Sequence, residues 1–328
     1  MEQYLSVTEL RERLRAKGFL SPGLGVFSSS DTSTGYCIGT LPYYTEEAAD
    51  NSKPGEPHGR IAPFARRNYY LEAVSRLKKL VTELCETTAL RKKNFRIFCN
   101  SRLPEKKMAF EAGIGSYGKN SLILTRETGS LCILAGFLFP LEILPPEERD
   151  KISRNKAARE FSLCGNCRAC IEACPVQAIT APGVVDKTKC LQDLSTSTED
   201  FSEEIKDIWG NRLYGCQICQ DVCPVNRIPV PGIRTDKGEL GASLPLSLFL
   251  GNPPGEIRKK LKGSVLDRKW IPPEALIRNA LISAGNAGDP VLLSLIDPLR
   301  SHTETLIRDA ADWAYKKIYQ RKRTSTSS

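Results

Sequence analysis

The sequence predicts an α+β protein of 328 residues in three parts. These are a mixed α/β domain over 1–155, a cysteine-rich domain over 156–235 and a helical repeat over 236–320, with a disordered tail at 321–328. Three observations carry this reading. In the first part the apolar residues switch between strand-like and helix-like periods. Eight of the twelve cysteines fall between residues 164 and 223. From Leu276 on, three helical patterns follow one another, separated by tight loops.

The N-terminal part begins with Ser6-x-x-Glu9, a capping-box pattern, ahead of an amphipathic segment through Leu10 and Leu14. Gly18 to Gly39 alternates short apolar pieces with Ser, Thr and Gly, which predicts strands joined by turns. Residues 45–60 are polar and carry Pro54 and Pro57, so they read as a surface loop. Leu71, Val74, Leu77, Leu80, Val81, Leu84 and Cys85 recur at helical spacing and predict a helix over 69–88. Phe95 to Cys99 reads as a buried strand, and Pro104 to Ala112 as a helix stopped by Gly113 and Gly115. Ser121 to Leu124 and Leu131 to Phe139 read as neighbouring strands across a turn at Thr125 to Gly129. Pro145-Pro146 and the charged stretch to Glu160 form the joint to the next part.

The cysteine-rich part contains Cys164-Gly-Asn-Cys167-Arg-Ala-Cys170-Ile-Glu-Ala-Cys174-Pro175. This C-x2-C-x2-C-x3-C-P run has the spacing bacterial ferredoxins use for a [4Fe-4S] cluster, with the fourth cysteine ligating the other cluster of a pair. The second run, Cys216-Gln-Ile-Cys219-Gln-Asp-Val-Cys223-Pro224, lacks one cysteine, and Cys190 stands between the two to replace it. The expected ligand sets are Cys164, Cys167, Cys170 with Cys223, and Cys190, Cys216, Cys219 with Cys174. The domain is therefore read as ferredoxin-like, with two [4Fe-4S] clusters. Zinc knuckles compete, because paired cysteines also hold tetrahedral zinc, but zinc needs neither the third close cysteine nor the proline. The remaining cysteines, Cys37, Cys85, Cys99 and Cys132, are scattered and suggest no disulfide framework.

The last part is punctuated by Pro and Gly to about residue 273. Its three patterns then run Leu276 to Ala284, Val291 to Ile296 and Leu306 to Ile318, as in a HEAT-like repeat. Hydrophobic residues make up 41% of the chain and charged residues 26%, and the formal net charge is +9. That excess suits an anionic partner such as a nucleic acid or an acidic redox protein, and suits a solvated surface as well. Arg258, Lys259, Lys260, Lys262, Arg268, Lys269 and Arg278 are the candidate phosphate contacts, since each neutralised phosphate releases counterions. No apolar run reaches the length of a membrane span, and a cytoplasmic protein is expected.

Several segments together resemble the epoxyqueuosine reductase family, cobalamin-dependent iron–sulfur enzymes of tRNA queuosine synthesis. They are Tyr214-Gly-Cys216 through Cys223-Pro-Val-Asn226-Arg227, then Gly113-Ile-Gly-Ser-Tyr-Gly118-Lys119-Asn120 followed by Gly129-Ser130 and Gly136, and finally Leu276-Ile-Arg278-Asn279 through Asn286 with Arg308 to Trp313. The resemblance implies that the first domain binds cobalamin, with Tyr69, Tyr117, Lys119, Asn120 and Ser130 as candidate cofactor residues. It also implies that the helical end binds tRNA in the anticodon region, and that an external low-potential donor feeds the clusters. Only His58 and His302 could offer an imidazole to cobalt, and neither lies in a motif.

Two departures stand out. The family's general acid is an Asp followed by Ser/Thr and shortly by Pro, whereas this chain reads Phe98-Cys99-Asn100-Ser101-Arg-Leu-Pro104. The acid's place falls on Cys99 or Asn100, and neither is a carboxylic acid. Where the family has Arg-Asp-Tyr-His, this chain has Arg67-Asn68-Tyr69-Tyr70. Tyr117, Tyr69 or Tyr70 are the phenols that could supply the proton instead. The alternatives to an epoxyqueuosine reductase are a diverged corrinoid reductase with a non-tRNA substrate and a two-cluster electron-transfer protein.

Overall fold

Ser6 opens the first helix, α1 (Val7–Ala16), by accepting the Glu9 N–H on its hydroxyl at 3.0 Å, and Leu10 and Leu14 turn into the core. The computed structural model describes residues 4–28, 33–45, 51–153, 159–227 and 231–325. Strands β1 (Leu20–Ser28) and β2 (Ser33–Pro42) follow as an antiparallel pair. The polar stretch expected as a loop contains a short strand, β3 (His58–Ile61), while Glu46, Glu47 and Asp50 of that stretch lie outside the described residues. Helix α2 (Tyr69–Thr87) is capped by Asn68, whose side chain accepts the Leu71 N–H at 3.1 Å. It buries Leu77, Leu80, Val81 and Leu84, as its 3.6-residue pattern requires.

Strand β4 (Arg96–Cys99), helix α3 (Glu105–Glu111) and strands β5 (Ser116–Tyr117), β6 (Ile123–Leu124) and β7 (Cys132–Phe139) complete this region. The main sheet is antiparallel throughout, in the order β1-β2-β7-β4. The two apolar runs expected to be neighbours therefore part company. Thr125 and Gly129 close a tight loop; before it β6 pairs with β5, and after it β7 enters the centre of the main sheet. Gly136 permits that central place, because a Cβ there would lie 2.1 Å from the Cys37 carbonyl oxygen.

Helix α4 (Pro146–Ser153) leads toward the cysteines; residues 154–158 of the expected joint lie outside the described residues. Each cysteine run forms one helical turn, α5 (Ala169–Glu172) and, later, α8 (Ile218–Asp221), and the two turns pack together. Between them lie the ribbon of β8 (Ile179–Ala181) and β9 (Val184–Val185), helices α6 (Leu191–Leu194) and α7 (Glu203–Trp209), and strand β10 (Arg212–Tyr214). Strand β11 (Ser243–Pro245) and helices α9 (Ser247–Leu250) and α10 (Pro254–Lys260) precede the long pair α11 (Pro273–Ala287) and α13 (Thr305–Ser325), with α12 (Leu293–Ile296) between.

The three parts are interleaved. β3 lies between β10, to which it is parallel, and β11, to which it is antiparallel. Around that sheet one apolar core joins Ile61 and Ala65 to Leu213, Phe249, Leu281 and Ile307. The tail expected to be disordered continues α13 to Ser325, and Arg321 donates to the Asn286 carbonyl at 2.7 Å; Arg, Lys and Gln there are good helix formers. Residues 326–328 lie outside the described residues. Among the described residues no helix is long and apolar enough to cross a membrane.

Candidate electron-transfer centre and adjoining cavity

The packing of α5 against α8 brings the cysteine runs together in two groups. Burial raises the Cys170 thiol above its ordinary value, and the neighbouring Cys164, Cys223 and Cys167 raise it further. Burial likewise raises Cys223, which feels Cys164 and Cys167. In the other group, burial pushes Cys219 up to about 12, with added repulsion from Cys216 and Cys190, and burial raises Cys190, which feels Cys216. Cys174 Sγ accepts the Ala178 N–H at 3.2 Å. Thiols crowded in this way surrender their protons only to a cation or cluster that pays back the repulsion. Among the described residues no three Cys, His, Asp or Glu side chains converge on a single-ion site.

Lys119, expected at the cofactor, instead serves the first group. Its Nζ donates to the carbonyl oxygens of Gly165 and Cys167, both at 2.8 Å. The loop it holds includes Gly165 at φ +49°, a conformation glycine adopts without strain.

A cavity of about 350 Å³ lies where the second thiol group meets the N-terminal region. Cys190, Cys216 and Cys219 line it, as do Tyr43, Phe64, Tyr70, Leu122, Cys132 and Ile133. Asn120 and Ser130, both expected at the cofactor, also line it. The Asn120 side chain hydrogen-bonds the Cys219 thiol, and its Oδ1 accepts the Leu122 N–H at 3.2 Å. Ser130 is held by two amides. Asn226 Oδ1 accepts its N–H at 2.8 Å and Asn226 Nδ2 donates to its hydroxyl at 3.0 Å. Gln220 Nε2 donates to its carbonyl at 2.8 Å and to the Tyr43 hydroxyl at 3.0 Å. Asn226 lies so near Gly129 that a Cβ would meet its Oδ1 at 2.1 Å.

Other expected residues fall elsewhere. Tyr69 is wholly buried and does not line the cavity; its ring packs 5.9 Å from that of Tyr43 and its hydroxyl accepts the Tyr44 N–H at 3.1 Å. The helical phase of α2 turns Tyr69 into the core and gives the cavity to Tyr70. Tyr117 packs on Phe110, centroids 5.3 Å apart, away from the cavity lining. Asn100 is exposed at φ +49°, a left-handed conformation that Asn tolerates better than most residues. The N–H groups of Asn100 and Ser101 both donate to the Glu105 carboxylate, at 2.9 and 2.7 Å. Cys99 is tucked inward. Burial, then the charge of Glu105, pushes its thiol well up, with Arg268 opposing.

Tyr70 collects these groups at the cavity. Burial pushes its phenol above the ordinary value, and Tyr214, Cys99 and Glu105 add to the rise. His58 is engaged with the Ser243 hydroxyl at 3.1 Å, His302 accepts the Glu304 N–H at 3.0 Å, and neither lines the cavity.

The basic run divides by burial. Arg278 is 0% exposed and donates to the carbonyls of Glu199, Leu194 and Ser197 and to the Asn279 side chain. Its guanidinium lies 3.7 Å from the Phe201 ring centroid, so Arg278 is a structural tie and not a phosphate contact. Burial lowers its pKa to about 9, with Asp200 opposing, which leaves it charged at neutral pH. Arg258 faces Asp267 at 3.9 Å, Lys259 pairs with Glu256 at 2.7 Å and Lys260 donates to Asn252 at 3.1 Å. Lys262 and Lys269 are exposed.

Gln220, Asn226, Tyr43 and Cys132 were not foreseen as site residues. Gln220 and Asn226 sit six residues apart around Cys223, and a side-chain amide that close to a cluster cysteine was the available signal.

Residues 163–226 match the family of 4Fe-4S double cluster binding domains. Over 297 residues the chain is 31% identical to epoxyqueuosine reductase of Vibrio cholerae, covering 88% of this chain and 74% of that protein. It is also 31% identical, over 271 residues, to epoxyqueuosine reductase of Escherichia coli, covering 78% of this chain and 65% of the relative. Among the first such relatives the chain spans between 54% and 74% of their length. In fold it matches a crystal structure of epoxyqueuosine reductase with an epoxyqueuosine-modified tRNA-Tyr stem loop, with a TM-score of 0.75 at 22% identity over 95% of this chain and 89% of that one.

Proposed function

The chain belongs to the epoxyqueuosine reductase family, and we propose that it reduces the epoxide of epoxyqueuosine in tRNA to queuosine, using two [4Fe-4S] clusters and cobalamin. The net reaction takes up two electrons and two protons, breaks both carbon–oxygen bonds of the epoxide, releases water and leaves a carbon–carbon double bond. One observation carries the proposal: the thiols of the second group, Cys190, Cys216 and Cys219, and the Tyr70 phenol line one cavity. An electron source and a proton source thus meet in the same space.

Cys164, Cys167, Cys170 and Cys223 would hold the first cluster, and Cys190, Cys216, Cys219 and Cys174 the second. Such clusters reach potentials as low as about −700 mV. Because the second group lines the cavity while Cys167 of the first is exposed, the external donor is read as feeding the first. Asn120, Ser130, Gln220 and Tyr70, which line the cavity alongside Lys106, Lys187, Gln192 and Asp193, would hold a corrinoid there. Cobalamin, when bound, supplies a low-potential cobalt centre for the epoxide carbon.

The residues of this chain do the rest. Asn120 and Ser130 orient the cofactor from the side of the N-terminal sheet. Tyr70 Oη keeps its proton, since burial raises its pKa, and gives it to the epoxide oxygen in place of the family's Asp. Cys99, the inward member of the acid's slot, adjoins Tyr70 electrostatically. We read the helical end, built on α11 against α13, as a HEAT-like unit for the anticodon region.

The test is the anaerobic spectrum of reconstituted protein with cobalamin in excess, followed by incubation with epoxyqueuosine tRNA and a low-potential reductant. Clusters with no bound cobalamin would leave a two-cluster electron carrier. Bound cobalamin with no queuosine formed would leave a corrinoid reductase with another substrate.

A further inference from the structure

Trp270 keeps 42% of its surface exposed beside the cavity. Its position is held from below. The rings of Trp270 and Tyr70 meet edge-on, with centroids 6.1 Å apart and planes at 89°, and Tyr70 lines the cavity. The Trp270 side chain also hydrogen-bonds the buried Tyr214 phenol. The Arg268 guanidinium lies 5.0 Å from the indole centroid, and Lys269 is exposed between the two in sequence. An indole anchored by Tyr70 and Tyr214, still 42% exposed and with a guanidinium beside it, is the kind of surface on which proteins receive unpaired bases. Every base offers a π-face, while the phosphates on either side seek positive charge.

Resting on the tRNA reading above, we propose that Trp270, with Arg268 and Lys269, is a stacking platform for an unpaired RNA base flanking the nucleotide that enters the cavity. The charge pattern favours RNA over a protein partner. The side chains of Lys262 and Lys269 are exposed and have no hydrogen-bond or ion-pair partner among the described residues, and Arg268 puts a further positive charge beside the ring. Tyr70 then has two faces of duty: its hydroxyl serves the cavity and its ring sets the angle of the platform.

The experiment uses the full chain with both clusters reconstituted. Its probe is an anticodon stem loop carrying 2-aminopurine beside the wobble position, with a fully paired hairpin as control. Trp270→Leu fills the space without a π-face, and Trp270→Phe keeps one. Expected results are loop affinity lower by roughly tenfold to a hundredfold for Trp270→Leu, near recovery for Trp270→Phe, hairpin affinity unchanged, and quenching of 2-aminopurine in wild type but not in Trp270→Leu. Equal loop affinity in wild type and Trp270→Leu overturns the platform and leaves the tRNA reading standing. Equal losses in both variants, with cluster absorbance intact, overturn it too, since stacking was retained in one. If wild type itself fails to bind the stem loop, the tRNA reading falls and the platform falls with it.

Discussion

Lys119 Nζ donates to the main-chain carbonyl of Cys167 at 2.8 Å, so a positive charge from the N-terminal region is fixed against the loop of the first cysteine group. A cation held there favours the reduced, more negative state of a cluster. Lys119→Met should move the first cluster to a more negative potential by tens of millivolts and leave the second nearly unmoved. An anaerobic redox titration followed by electron paramagnetic resonance reads both clusters, and equal shifts in the two would contradict the assignment.

Gln220 gives one buried amide to three oxygens: the Tyr43 hydroxyl, the Ser130 carbonyl and the Ser130 hydroxyl. Replacement by Leu leaves buried acceptors unpaired. The expected cost is about 1–3 kcal/mol, visible as a lower anaerobic thermal midpoint, together with weaker cobalamin binding because Ser130 loses one of its two amide holds.

Arg278 and Lys262 were indistinguishable as charges in the sequence but should respond oppositely. Arg278→Met strands the carbonyls of Leu194, Ser197 and Glu199 and should destabilise by about 3–5 kcal/mol, and Arg278→Lys should recover little because the planar fork is lost. Lys262→Ala should leave stability unchanged and lower tRNA affinity with a shallower salt dependence. Paired unfolding and filter-binding measurements separate the two behaviours.

Tyr70→Phe removes the proposed proton and nothing of the ring. Turnover should fall by on the order of 10²–10⁴-fold, with cobalamin and tRNA affinity retained. The sign of the pH dependence is fixed by burial. A phenol raised above its ordinary value of about 10 stays protonated through that pH, so wild-type activity should show no basic limb from this group between neutrality and about pH 10. A limb in that range that vanishes in Tyr70→Phe would refute the assignment.

Cys99 and Asn100 part in the fold. An Asp at 99 would be tucked beside Tyr70 and Arg268, where burial keeps a carboxyl protonated and able to donate. One at 100 would be exposed next to the Glu105 carboxylate, which already accepts the Asn100 N–H. Cys99→Asp should therefore raise epoxide reduction and Asn100→Asp should not, as quantified by nucleoside analysis of the product tRNA.

The cysteine groups were legible because cluster ligands obey a short-range spacing, and Cys190 could be placed by counting. α2 was legible because Leu77, Leu80 and Leu84 repeat on one face. The cavity was not legible. Its lining draws on Tyr43, Tyr70, Asn120, Ser130, Gln192 and Cys219, which only the pairing of distant strands brings together. Tyr69 and Tyr70 differ by one helical step, about 100° of rotation, and the sequence could not say which one faced the core. Arg278 looked like its basic neighbours because a charge carries no mark of burial. β3 escaped notice because its four residues, His58 to Ile61, show too little alternation to announce a strand.

That short strand has a consequence for how the chain is made. β3 leaves the ribosome early, yet its antiparallel partner, β11, begins at Ser243, beyond all eight cluster cysteines. At about 5–20 residues per second of synthesis, β3 waits roughly ten to forty seconds for that partner. The last thiol, Cys223, precedes Ser243 by 20 residues, so for about one to four seconds at the end of that interval every thiol of both groups has been made while the frame around them is still open on one edge. The cell's assembly machinery thus has a window in which iron and sulfide can reach the pockets before the last strand closes the sheet beside them.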